Sequence, residues 1–497
     1  MIRRLLTVSA WALLVPVVAS QGQEAPAPAT APQALTIEEA IARALAKNFD
    51  LQIQTFAREN AEAALNIAEA TFEPDLTYTT SRSESQSAVA SSVLDGTSQP
   101  RNSSYNNRIS ATQRIVTGAT VTASTNLNRS SNNSANTILN PSYNSDFSLT
   151  VRQPLLQGAG IAYTRAAVDR ATIGVTRSNL EFKDTVLTVV RNVEAAYYNL
   201  GFAREQEQVR RFSLELAERL LEENQTRRNT GIATDLEVLQ AEVGVANARR
   251  ALIQAQQAVR DREDALLNLI GQFEFNTPLG AVTLSDLETP AVSMERSYQV
   301  ARDQSPSFAS AKLAIEQLKI DLHTAKRDRL PGLSVGATGG YNARQASASN
   351  AAEELWSGDG YNWTIDLTLN VPIGFKAEKA RYRQAVIGLS REEKRLEQLE
   401  QSLLVQVRSA VRAVEINIES VEISRKATEL SQRQFDLEKA RFDAGISTFR
   451  RVQESQEDLD NARVAELQAR IALRIALADL ARLEASSLER YKINVAP

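Results

Sequence analysis

The chain has 497 residues, with 56 basic and 60 acidic side chains, a net charge of -4, one histidine and no cysteine. This excludes disulfides, thiolate metal sites, cysteine nucleophiles and acylation of an N-terminal cysteine, and nothing in the charge balance suggests nucleic acid, which calls for a basic face. A composition that is 43% hydrophobic but only 6% aromatic, with 20 Gly and 14 Pro, favours long helices over a compact mixed core.

Taken in chain order, Arg3 and Arg4, the apolar run Leu5 to Val18 and the small residues Val18-Ala19-Ser20 read as a secretory signal over residues 1–20. The run is short for a membrane anchor and contains Pro16. No other stretch approaches the ~20 apolar residues of a membrane helix, so a membrane location requires strands in a closed barrel. Residues 21–34 form a Pro/Ala-rich tether. Leu35 to Phe72 is helical, opened by a capping box of Thr36 and Glu39 and broken at Asn48 into pieces of about 36–48 and 49–71.

From 74 to 155 charges thin out and Ser, Thr and Asn alternate with apolar residues. Ile109, Ala111 and Ile115 share one face, as do Ala119, Val121, Ala123 and Leu127, and Phe147, Leu149 and Val151. Period two with one apolar and one polar face predicts strands. It is the pattern of a membrane barrel, and a half-buried soluble sheet carries it too. A helix then runs from about Tyr163 to Arg228, roughly 100 Å at ~1.5 Å per residue. Val189, Val193, Ala196, Leu200 and Ala203 form its coiled-coil-like seam. Gly231 ends it, and Thr234 with Glu237 caps the next, which reaches about Ile270. Residues 272–292, with Pro278, Gly280 and Pro290, form a connector.

The order then repeats. Helices are expected over about 293–304 and 307–329, strands after Pro331 and before Pro372, a helix over 376–443 striped by Leu396, Leu399, Leu403, Val407, Ala410 and Val414, a stop at Gly445, and a helix from Thr448 to Leu483. Pro154 aligns with Pro372 at an offset of 372 − 154 = 218, and Gly231 with Gly445 at 445 − 231 = 214, which marks a tandem duplication. Repeats over 35–271 and 293–485 follow, with a tail over 486–497. Pro74 to Pro154 spans 80 residues against 41 for Pro331 to Pro372. The surplus, around Thr117-Gly118, reads as an extra barrel hairpin, with a folded extracellular loop as the alternative. Four or six strands cannot close a membrane barrel, since the smallest closed ones have about eight. Copies of the chain must complete it, and the same ring gathers the long helices into a water-filled cylinder.

The opening helix Leu35-Thr36-Ile37-Glu38-Glu39-Ala40-Ile41-Ala42-Arg43-Ala44-Leu45, the paired turns Gly231-Ile232-Ala233-Thr234 and Gly445-Ile446-Ser447-Thr448, the duplication and the strand-Pro-helix junctions resemble the TolC family of outer-membrane factors over about residues 35 to 485. The resemblance implies a mainly α protein with membrane β: a duplicated helix–strand–long helix protomer, trimeric, with an outer-membrane β-barrel and an α-helical periplasmic tunnel. It implies an efflux or type I secretion duct, a periplasmic adaptor (membrane fusion protein) and an inner-membrane transporter as partners, and outer-membrane lipid around the barrel. The family pattern of four strands per protomer gives twelve; six would give eighteen. By position, Gly231, Thr234, Gly445 and Thr448 sit at the adaptor-docking tip turns, where helix capping alone also accounts for their chemistry. The family's acidic aperture maps to Arg451 and Glu454, of which only Glu454 is acidic. Its gate Arg and Tyr map to Ser447 and Phe442, and a gate carboxylate to Asp235. A periplasmic aperture of Asp235, Arg450, Arg451 and Glu454 is therefore expected, repeated threefold around the axis; an ordinary solvated helix face is the alternative. No catalytic, metal or cofactor site is expected, since His323 is the one histidine and no Gly-rich phosphate loop is present. The competing reading is an exported coiled-coil structural or adhesin protein without a pore.

Overall fold

The computed structural model describes residues 34–87, 97, 99–231, 233–271, 279–282, 291–357 and 359–494. The expected signal segment, nearly all of the tether, most of the connector and the extreme end of the tail lie outside the described residues. The elements in order are α1 (Ile37–Lys47), α2 (Phe49–Glu69), β1 (Asp75–Gln86), β2 (Arg101–Arg114), β3 (Thr120–Asn132), β4 (Ser142–Pro154), α3 (Ile161–Thr164), α4 (Ala166–Asn229), α5 (Asp235–Leu269), α6 (Met294–Gln304), α7 (Pro306–Arg327), β5 (Gly332–Gln345), α8 (Ala348–Glu354), β6 (Tyr361–Asn370), α9 (Lys376–Asp443), α10 (Phe449–Leu483) and α11 (Ser487–Arg490). The helix over 376–443 has the expected bounds, and the four-residue α3 is an element the periodicity did not separate.

The helix boundaries follow from side chains that satisfy free backbone N–H groups. Thr36 accepts from the Glu39 N–H at 3.2 Å. Asn48 breaks α1 from α2, accepts from the Asp50 N–H at 2.9 Å and donates from Nδ2 to the Leu269 carbonyl at 2.9 Å. The same residue thus caps α2 and fixes the end of α5, 221 residues away. There the left-handed Gly271 (φ 66°) leaves no room for a side chain: a Cβ would sit 2.5 Å from the Lys47 carbonyl oxygen. Around this point Leu35, Ile41, Val190, Val193, Tyr197, Leu200, Leu266 and Ile270 form the main core. Val193 and Leu200 of the anticipated α4 seam are fully buried, as is Val407 of the α9 stripe.

The strands form one antiparallel sheet in the order β1-β2-β3-β4-β5-β6. The β2–β3 turn around Gly118 (φ 96°) packs on Pro154, Gly158 and Thr164, at the end of the sheet where the helices start. Asp75 pairs with Thr112, Thr120 with Arg152, and Pro154 with Ser334. All six strands therefore run between the same two levels, and the surplus segment of the first repeat is an integral hairpin of the sheet. Two helical rows lie below it. Nearer the sheet, α2 packs on α4, α4 on α7 and α7 on α9; further away, α5 packs on α4, α4 on α10 and α10 on α9.

Candidate functional site

The sheet sorts its side chains by chemistry. Residues paired directly across antiparallel strands share a face, so the register sets Leu76, Ile109, Val121, Leu149, Val335 and Ile365 on one side. The opposite side carries Ser110, Thr122, Ser124, Thr150, Thr338 and Thr364. The apolar side is the open one, with Leu76, Ile365 and Leu367 each about 70% exposed, while Ser124 on the polar side is buried. The polar side is cross-linked: the Thr150 and Thr338 hydroxyls lie 3.0 Å apart, Asn126 donates to Asp146 at 3.0 Å, and Arg152 pairs with Asp366 at 3.0 Å. An apolar outside and a hydrogen-bonded polar inside are what a barrel wall between lipid and water needs. Among the described residues no helix is long and apolar enough to cross a membrane, and no acidic or histidine cluster could hold a metal ion.

This wall is incomplete. β1 and β6 each pair on one side only. Directly below, the helical rows end on α2 and α5 at the first-repeat edge and on α9 at the other. These edges carry exposed apolar seams: Ile416, Ile423, Leu430 and Leu437 on α9, at seven-residue spacing, and Leu236, Leu239, Val243 and Ile253 on α5. Strand edges and helix edges lie in the same order, first repeat to second. The α9 seam was not singled out in the sequence, although its spacing is legible there.

At the far end of the long helices the two repeats turn back. Gly231 (φ 77°) and Gly445 (φ 75°) adopt the left-handed conformation that helix stops favour, and their N–H groups donate to the Arg228 and Phe442 carbonyls at 2.9 and 3.0 Å. Thr234 forms the full capping box with Glu237. Thr448 occupies the matching position but makes no side-chain cap bond, and Arg451 three residues further on has no carboxylate to return the bond of a capping box. Gly231, Thr234, Gly445 and Thr448 are all exposed at this tip.

Of the expected aperture residues, Asp235 pairs with Arg228 at 2.7 Å, and Glu454 with Arg450 at 2.9 Å within one helix. Arg451 is exposed on the same first turn of α10. Phe442, which the resemblance led us to expect at a gate, is buried; with Phe449, Phe435, Leu220, Ala241, Val452 and Leu459 it forms a core joining both hairpins. Arg227 lies over its ring at 4.2 Å. Ser447 donates to Glu438 at 2.8 Å, and that bond together with Arg441 holds the Glu438 carboxyl below its ordinary range. Higher up, the buried Ser213 hydroxyl donates to Asp460 between the hairpins, and burial raises the Asp460 pKa.

The chain matches the family model for outer membrane efflux protein over residues 119–272 and 297–485. It is 25% identical over 280 residues to the pyoverdine export outer membrane protein OpmQ of Pseudomonas aeruginosa, a match covering 56% of this chain and 53%, about half, of that protein. In fold it is similar to CusC (17% identity, TM-score 0.68, covering 94% of this chain and 95% of that one). It is likewise similar to the CmeC outer membrane channel of Campylobacter jejuni (16%, TM-score 0.67, 92% and 89%). The fold is thus TolC-like, a helical body carrying an antiparallel β domain, and the chain belongs to the outer membrane efflux protein family.

Proposed function

We propose that three copies of this chain close into one duct, the outer-membrane channel of a tripartite efflux or type I secretion system. The observation that carries the reading is the six-stranded sheet with an apolar outer face and two unpaired edges, set above helical rows whose edges are also uncovered. An open strand edge in lipid costs several kcal/mol per unpaired group, and six strands are too few to seal themselves. A ring of copies removes both costs, β6 of one protomer pairing with β1 of the next. The α9 seam then meets α5 of the neighbour; its strict heptad favours a left-handed supercoil.

The exposed tip turns at Gly231, Thr234, Gly445 and Thr448 are the surface offered to a periplasmic adaptor, and Asp235, Arg450, Arg451 and Glu454 ring the aperture. Transport energy comes from an inner-membrane transporter, since the sequence has no phosphate-binding loop. Purified in detergent, the protein should have three times the protomer mass and conduct ions in planar bilayers. A monodisperse monomer without affinity for detergent or lipid would overturn the channel. Arg451→Ala and Glu454→Ala should change conductance and ion selectivity; if neither moves, these side chains do not line the aperture.

A further inference from the structure

We infer that the hairpin β2–β3 is part of the membrane wall, so that a threefold assembly has an eighteen-stranded mouth. The inference rests on the threefold reading above. Six strands in each of three copies give 6 × 3 = 18.

Four observations support a wall over a loop. The β2–β3 turn sits at the helical end of the sheet, against Pro154, Gly158 and Thr164, so both strands cross the full height between β1 and β4. Their apolar and polar faces continue those of the neighbours: Ile109 lies beside Tyr78, and Val121 beside Val151. Their polar faces join the same hydrogen-bonded layer, through Thr112 with Thr122 at 3.2 Å and Ser124 with Ser148 at 2.9 Å. The fourth is circumference. Strands about 4.8 Å apart and tilted about 40° take ~6 Å of wall each, so eighteen span ~110 Å and twelve only ~75 Å. Each helical row has four helices per protomer; twelve helices at ~9 Å spacing span ~110 Å. An eighteen-stranded mouth therefore continues the tunnel at full width, where a twelve-stranded one would narrow it.

The β5–β6 connection folds over the apolar side: Trp356 meets the Phe147 ring at 5.6 Å, and Gln345 of that face donates to Glu354 of α8. On the inner side Arg152 pairs with Asp366, while Arg108, Asp146 and Arg344 bond the neutral Ser124, Asn126 and Asn144. The hydroxyl and amide groups around them offer hydrogen bonds to polar solutes.

The chain has no cysteine, so single labels locate the hairpin. With fluorophores on Ala123→Cys and Ser124→Cys in vesicles, brominated lipid should quench the first and aqueous iodide the second. Iodide quenching of both would place the hairpin in water and overturn the inference. A second variant joins Ser87 to Ser142 through a Gly-Ser turn, removing β2 and β3. Polyethylene glycols added to the extracellular side should then be excluded at a radius about one-third smaller than for the full chain; an unchanged cutoff also overturns it. The native mass reads the threefold assembly separately: a mass other than three protomers refutes that reading, whereas label quenching refutes only the wall.

Discussion

The same turn is built twice in this molecule with opposite chemistry. At the 214-residue offset, Arg228 and Asp235 in the first repeat correspond to Phe442 and Phe449 in the second. Both pairs bracket a left-handed glycine. The first is an ion pair at 2.7 Å with side chains 53% and 86% exposed; the second is an edge-on aromatic pair, 6.3 Å between centroids, and buried. Duplication conserved the backbone stop and left the staple free to follow its surroundings. One turn projects into water, while the other packs against α4 and α5 and holds the two hairpins together.

The contrast is sharpest on substitution. Phe442→Ala should cost about 3–5 kcal/mol locally, as large aromatic deletions in cores do, and free the α9–α10 turn in hydrogen exchange. Arg228→Ala, at the corresponding site, should cost at most about 1 kcal/mol. Equal losses of protection at the two tips would erase the distinction. The repeats can next be compared in the sheet. Ile365→Arg in the second repeat and Ile109→Arg in the first should each cost ~2–4 kcal/mol when the side chain faces lipid, read as a lower temperature for dissociation of the assembled complex. A cost at Ile365 alone would set the first repeat's hairpin apart.

A smaller difference separates the caps. Thr234→Ala should cost about 1 kcal/mol of local stability, and Thr448→Ala close to nothing, because only Thr234 bonds its helix. The smallest effect is a pH dependence that sets buried charge against the exposed pair at the tip. Burial raises the Glu194 pKa above its ordinary 4.5, although Tyr491 donates to it at 2.5 Å. The stability this group contributes is present below pH 4.5 and is lost as pH rises through the raised value. Glu194→Gln should therefore increase protection of residues 487–493 at pH 7 and leave it unchanged at pH 4.

Where a boundary depends on local chemistry, the sequence announces it. Thr36, Asn48, Gly231, Thr234, Gly445 and the prolines beside the strands marked the elements, and strict alternation separated the faces of the sheet. The two extra strands were legible as a length surplus between Pro74 and Pro154; that they cross the whole wall needed the register. The tip was less legible. Glu454 bonds Arg450 one helical turn away, and Phe442 is buried by Leu220 and Ala241, residues more than 200 positions distant that no local pattern reveals. The apolar seams on α5 and α9 could be counted in the sequence, but only the helix order shows that they lie at the edges of the protomer.

Tyr491 reaches back 297 residues to a carboxylate in the middle of α4. A core site of the first repeat is thus finished by a segment that is synthesised and exported only after both hairpins. Contacts of such sequence separation form slowly, so the Glu194 carboxylate stays open to water until the end of the chain has folded back over it.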